Sequence, residues 1–288
     1  MRFHIVASTG RTATTYIAAV LNRVPGVVAC HEGYVGSDKA STPLLPLVNL
    51  ENAQAYRDPA HAAATVADKR DSAVLAGAIE SAGAQTLVDV AYYNAMIGGA
   101  ILAAHPASRM VAIVRDCEPF VRSSTAIEGE DLLPVGWPAP DKPLTPRERF
   151  IGMGRIKPRP GSAEAAEWPG WSATMRNIWL WRETNLALAG YRQTFGDRVA
   201  VIRFELLSTD PPEFWARLAA HIGVPPPSSL DDAANGKFTN KKASGYQIGA
   251  SDTWADCERN FLRVAVDEVE SKLGHADESV LRNAVRRR

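Results

Sequence analysis

The sequence predicts an α/β fold: a single domain over residues 1–288 with a central parallel sheet flanked by helices. Short apolar runs at about 3–8, 27–30, 86–90, 109–114 and 199–204 alternate with longer stretches carrying helical signals, the pattern of repeated β-α-β units. Polar residues stand at or just past the ends of these runs: Arg11, Glu32, Asp89 and Arg115. In a parallel sheet all four project beyond the carboxyl edge, where ligands bind. A chain of 288 residues that is 46% hydrophobic can bury a substantial core, and no internal repeat or low-complexity tract divides it.

The first run, Phe3-His4-Ile5-Val6-Ala7, passes into Ser8-Thr9-Gly10-Arg11-Thr12-Ala13-Thr14-Thr15-Tyr16, a small-residue loop that opens a helix. The first turn of such a helix has backbone N–H groups without intrahelical partners. Its dipole places about half a positive charge there, so a phosphate or sulfate fits. Arg11 adds a permanent cation with forked donors, and Thr12, Thr14 and Thr15 add hydroxyls suited to a tetrahedral oxyanion. This is not a Walker A sequence, because Ala13 stands where a second glycine belongs and no lysine follows. A Cβ at Ala13 suits the loop only where φ stays negative. Taken alone, the segment also reads as an ordinary strand-to-helix turn.

The run Ser108-Arg109-Met110-Val111-Ala112-Ile113-Val114 leaves through Arg115-Asp116, and Pro119 then falls in the first turn of a helix that Asp116 is suited to cap. Ser123, eight residues after Arg115, lies about two turns into that helix, so both can reach one ligand group. A salt-bridged arginine and a surface serine are the plainer alternatives. The longest helix is expected from Ser172 to Gly196, with Met175, Ile178, Trp179, Leu186, Ala189 and Tyr191 forming its core stripe. Trp181, Arg182 and Asn185 fall on another face, read as solvated, with contact to the ligand as the alternative. Residues 129–171 carry eight prolines with Trp137, Trp168 and Trp171, a candidate lid over an acceptor or a surface excursion anchored by its tryptophans. Residues 36–60 are a second stretch expected to flank an acceptor pocket.

These segments, in this order, resemble the sulfotransferase family, which draws its sulfuryl group from 3′-phosphoadenosine 5′-phosphosulfate (PAPS) and has a P-loop-like nucleotide-binding topology. Gly10-Arg11-Thr12-Ala13-Thr14-Thr15-Tyr16 matches the family's Pro-Lys-Ser-Gly-Thr-Thr-Trp loop for the 5′-phosphosulfate, with Arg11 in the lysine's place. Arg115 and Ser123 match the arginine and serine that bind the 3′-phosphate. Val199-Ala200-Val201-Ile202-Arg203-Phe204-Glu205-Leu206-Leu207 with Asp210-Pro211 looks like the late Tyr-Glu-Asp-Leu strand, Phe204 standing where a tyrosine often contacts adenine. The resemblance implies that Tyr16, in place of a tryptophan, stacks on the adenine. It also implies that Lys241 and Lys242 stand in for an Arg-Lys-Gly run on the 3′-phosphate.

Such an enzyme must position the donor, neutralise the departing phosphate and deprotonate the acceptor, and the resemblance implies that it does so without a metal. Three residues are candidates for the base: Glu32, where bacterial and Golgi-type relatives often place a glutamate, its neighbour His31, and Asp89, near the histidine position of cytosolic members. On a strand exit, adjacent side chains diverge, so only one of His31 and Glu32 should face the ligand. The expected acceptor is a hydroxyl, or an amine, of a small molecule or glycan. A P-loop-like kinase shares the strand, loop and helix but needs a glycine-lysine cradle and an acidic magnesium site. A nucleotide-binding protein without turnover is the other alternative.

Lys plus Arg and Asp plus Glu each number 32, so no bulk field argues for nucleic acid or an anionic membrane as partner. Cys30, Cys117 and Cys257 are odd in number and form no paired motif, against a disulfide framework or zinc site and in favour of a reducing compartment. A cytoplasmic location is expected, since the chain enters a strand without a basic leader and has no apolar run of membrane-spanning length. A homo-oligomer is left open.

Overall fold

The computed structural model describes residues 2–35, 42–125, 127–128, 133–134, 152, 154–228 and 248–274. Lys241, Lys242, Trp137 and most of 129–151 lie outside the described residues. The chain begins with β1 (Arg2–Ser8), α1 (Thr14–Leu21), β2 (Val27–His31) and β3 (Tyr34–Val35), followed by α2 (Glu51–Arg57), α3 (Pro59–Lys69) and α4 (Ser72–Ser81). Then come β4 (Thr86–Val90), α5 (Asn94–Ala104), β5 (Met110–Val114), α6 (Cys117–Thr125) and a small pair, β6 (Ile127–Glu128) and β7 (Leu133–Pro134). The remainder is α7 (Ala163–Glu167), α8 (Ala173–Phe195), β8 (Val199–Arg203), α9 (Leu206–Thr209), α10 (Pro211–Ile222) and α11 (Asp256–Leu273).

Six strands form one sheet in the order β3-β2-β4-β1-β5-β8; all are parallel except the short edge strand β3, which is antiparallel to β2. From β1 the chain crosses first to one side and, after β4, to the other, so β1 sits at the point where the strand order reverses. In such sheets the crevice for a ligand opens there. The expected α/β architecture and all five expected parallel strands are present, with ends within one residue of those read from the sequence.

Alternation along the strands feeds two cores. Phe3, Ile5, Ala7, Leu87, Ala112 and Val114 pack toward α3, α4, α5, α8 and α11. Val6, Val88, Val90, Val111, Ile113 and Ile202 pack toward α1 and α10. The central helix α8 is capped as its sequence suggests: the Ser172 hydroxyl accepts from the Met175 N–H at 3.1 Å, and Gly196 ends it with a positive φ. The face read as solvated is not. Trp181 and Asn185 are fully buried and Arg182 nearly so, because α8 runs between α5, α6 and α11 and leaves almost no side to water. Of the tryptophans in the segment read as a candidate lid, Trp171 is buried and Trp168 half-buried, both against the core beside Trp179 and Phe261.

At the amino edge of the sheet, His4 is 3% exposed, and its Nδ1 accepts from the Arg109 N–H at 3.1 Å. Burial, then the positive charges of Arg109 and Arg2, hold the imidazole near pKa 4, below its ordinary 6.5. The unfolded chain therefore takes up a proton that the folded one refuses. The stabilisation is complete above pH 6.5 and is lost as pH falls toward about 4, amounting to roughly 3 kcal/mol. Urea denaturation at stepped pH should show stability falling through this window, with a shallower fall in His4→Gln; identical slopes in the two proteins would remove His4 as the cause.

Candidate functional site

The carboxyl edge gathers the motif residues. The exit of β1 is strained: Gly10, Arg11 and Ala13 have φ of 81°, 57° and 54°. The left-handed conformation at Ala13 contradicts the expectation of a negative φ there. Successive left-handed turns aim backbone N–H groups into a common concavity, and a Cβ in that region costs about 1–2 kcal/mol. Gly10 packs on Tyr92, whose Cβ would lie 3.4 Å from a Cβ added at the glycine. α1 starts from Ala13, with no side-chain cap and no acidic residue in its first turn, so the chain leaves this positive helix end without its usual polar or anionic complement.

Two residues more than a hundred positions further along the chain meet Arg11 at this loop. Arg11 Nε donates to Ser123 Oγ at 3.1 Å across 112 residues, and an Arg115 Nη donates to the Arg11 carbonyl at 2.6 Å across 104. Arg115 lies over the Phe204 ring at 4.9 Å, a cation–π distance. Its carbonyl accepts from Trp181 Nε1 at 2.7 Å, a positioning contact hidden from the sequence because Trp181 was read onto a solvated face. The next backbone N–H, of Asp116, donates to Glu205 Oε1 at 3.1 Å. Burial, then the charge of Asp116, pushes the Glu205 carboxyl above the ordinary glutamate value.

The threonines divide. Thr12 is buried and donates to Ser8 Oγ at 2.7 Å, while the same serine oxygen accepts from the Gly10 N–H at 3.0 Å, so these groups brace the loop from inside. Thr14 and Thr15 face His31, with oxygen to Nε2 distances of 3.1 and 3.3 Å. Tyr16 is 3% exposed and packs edge-on against Trp215 at 6.2 Å, which sets its ring in the core beneath α10. The helix turns Tyr16 to the face that α1 buries.

Glu32 and His31 separate as strand geometry requires. His31 ends β2 toward α1, whereas Glu32 and Gly33, with φ of 53° and 84°, are the two central residues of the tight turn between β2 and β3. Positive φ at both positions is the pattern that favours Asn-Gly or Gly-Gly, so a glutamate here is held against its backbone preference. The turn is locked by the Leu45 N–H donating to the Gly33 carbonyl at 3.1 Å; a side chain on Gly33 would strike the Leu45 carbonyl and Leu47. Tyr92 stands opposite. Burial raises its phenol to about 12, with Arg155 opposing and Glu32 reinforcing the rise, and the Arg155 guanidinium carbon is 5.9 Å from its ring centroid.

Asp89, read as a candidate base, is fully buried in an ion pair: Arg70 Nε and an Arg70 Nη donate to its Oδ2 at 3.2 and 2.9 Å, both side chains 0% exposed. Arg70 also donates to the Pro46 carbonyl at 2.8 Å, fastening the segment that locks the Glu32 turn. Asp89 thus fixes the site's framework. The odd numbering that puts Leu87 in the core puts Asp89 on the same covered face of β4. Among the described residues no helix is long and apolar enough to cross a membrane.

No family model and no curated protein matches this chain. Solved structures similar to it include the sulfotransferase domain from the curacin biosynthetic pathway, at 13% identity and TM-score 0.47 over 95% of this chain and 97% of that one. A sulfotransferase from Alicyclobacillus acidocaldarius is similar at 14% identity and TM-score 0.45 over 96% of each chain. Mouse sulfotransferase SULT7A1, complexed with PAP, is similar at 11% identity and TM-score 0.39 over 96% of this chain and 86% of that one.

Two stability measurements check this geometry. Ala13→Gly, which relieves a left-handed Cβ, should raise unfolding free energy by about 1 kcal/mol; a loss would contradict the strained loop. Asp89→Ala leaves Arg70 buried without its partner and should cost about 3–5 kcal/mol; a change within 1 kcal/mol would contradict the ion pair.

Proposed function

We propose that this protein is a sulfotransferase that moves the sulfuryl group of PAPS to a hydroxyl, or an amine, of a small molecule or glycan. The observation that carries this reading is the meeting of Arg11, Arg115 and Ser123 at one strained, uncapped helix entrance, because the donor's two phosphate ends flank a single ribose and need one compact cluster of donors. The motif resemblance assigns the same residues to those phosphates. Phe204, beneath Arg115, offers an aromatic wall for the nucleoside.

PAPS supplies an activated sulfuryl group whose transfer leaves its phosphate with increased negative charge. Arg11 and the first turn of α1 stabilise that charge, a preorganised electrostatic contribution. Arg115 and Ser123 hold the 3′-phosphate, so Arg11 leaves the Ser123 hydroxyl for the 5′ side when the nucleotide enters. Glu32 takes the acceptor proton as the new bond to sulfur forms. Its position at a conformationally costly turn after β2 supports this role. His31, engaged with Thr14 and Thr15, orients the first turn of α1.

Calorimetry with adenosine 3′,5′-bisphosphate (PAP), against ATP with magnesium, tests the donor assignment: PAP should bind and ATP should not compete at equal concentration. Arg11→Ala should weaken PAP binding and lower transfer by about 10²–10³-fold. Glu32→Gln should keep PAP binding and lose about 10²–10⁴-fold in turnover. Preferred ATP binding would favour a kinase, and full turnover in Glu32→Gln would move the base elsewhere.

A further inference from the structure

One peptide group at the site is held at both of its polar ends. The Arg115 carbonyl accepts from Trp181 Nε1 at 2.7 Å, and the N–H of the same peptide, on Asp116, donates to Glu205 Oε1 at 3.1 Å. Because the peptide is planar, fixing both ends leaves it little freedom to rotate, and the Arg115 side chain starts from that backbone. The exit of β8 supplies the rest of the grip residue by residue. Arg203 pairs with the Asp116 carboxylate at 3.9 Å and with Glu270 of α11, and the Phe204 ring lies under the Arg115 guanidinium at 4.9 Å. The Phe204 N–H continues the ladder to the Val114 carbonyl at 2.8 Å. The chain then bends into α9 at Glu205, whose carboxyl reaches back to the end of β5.

Backbone satisfaction does not account for this glutamate. Asp116 is exposed, so water can serve its N–H, whereas Glu205 is half-buried and its second oxygen, Oε2, is buried without a hydrogen-bond partner among the described residues. An acceptor left unmade away from water costs about 1–3 kcal/mol. Burial and the charge of Asp116 also disfavour ionisation of the carboxyl, and its pKa lies above the ordinary glutamate value. What the side chain does hold is the peptide that follows Arg115, the residue assigned to the 3′-phosphate.

We propose that Glu205, opposite Trp181, is a positioning residue that sets the Arg115 guanidinium for the 3′-phosphate and so determines the preference for a 3′-phosphorylated nucleotide. This deepens the transferase reading and rests on it. Calorimetry on the full chain compares PAP with adenosine 5′-monophosphate, which lacks only the 3′-phosphate. The wild type should bind PAP about 100-fold more tightly. Glu205→Leu, which removes the acceptor, should cut that preference about tenfold while changing affinity for the monophosphate by less than about twofold. Glu205→Asp, which withdraws the acceptor by one methylene, reads the same loss where the leucine variant does not fold. Glu205→Gln keeps a carbonyl oxygen for the Asp116 N–H and should keep the preference. In an Arg115→Gln background, Glu205→Leu should change the preference no further, since it acts through that arginine. Equal weakening of both nucleotides would mark a purely structural role and overturn the proposal, as would an effect that persists without Arg115. A wild type that does not prefer PAP removes the donor reading together with the proposal, whereas a wild-type preference left intact in folded Glu205→Leu or Glu205→Asp removes the proposal alone.

Discussion

The hydrogen bond from the Arg115 guanidinium to the Arg11 carbonyl ties together the exits of two adjacent strands, β1 and β5, at the place where the sheet order reverses. A charged donor on a backbone acceptor in a partly buried setting is worth more than a neutral bond, and its direction is fixed by planar geometry. Everything at the site is referenced to it. The Arg11 side chain reaches Ser123 because its carbonyl is held, and Arg115 is itself steadied by Trp181 behind and Phe204 below. The anion loop and the clamp residues thus form one unit across more than a hundred residues of chain.

Strain is concentrated at the same edge. The three non-glycine residues with positive φ among those described are Arg11, Ala13 and Glu32, two in the loop after β1 and one in the turn after β2. Each would be more comfortable as glycine; locally the Ser8 hydroxyl braces the loop, while the Arg70–Asp89 pair fastens Pro46 and so the segment that pins the turn. Stability invested in a buried ion pair and two tight turns is thereby spent on fixing a cation at the exit of β1 and a carboxylate at the exit of β2.

The sheet was legible because its strands are short, apolar and separated by well-punctuated helices, and α8 was legible to its caps, Ser172 and Gly196. Arg11, Arg115 and Ser123 were legible through spacing and the resemblance they carry. Orientation was not. Tyr16 and Thr12 face inward because the helix turn and the loop strain decide their direction, and neither is encoded in residue type. Asp89 looked like chemistry at a strand end, but its partner Arg70 lies at the junction of α3 and α4, a pairing no local pattern announces. Trp181 was misread because amphipathic reasoning presumes one wet face, and α8 has almost none.

Charge is arranged by neighbourhood rather than in bulk: the chain as a whole carries a formal net charge of +0, yet Arg11 and Arg115 meet at the anion loop. Local cationic sites on a neutral surface suit a small anionic ligand better than a polymer held by a long-range field. The most direct measurement is a crystal structure with adenosine 3′,5′-bisphosphate bound. The account predicts Arg115 and Ser123 on the 3′-phosphate, Arg11 moved off Ser123 onto the 5′-phosphate, and Glu32 facing open space beside it. A nucleotide bound with either guanidinium turned away from its phosphates would contradict it.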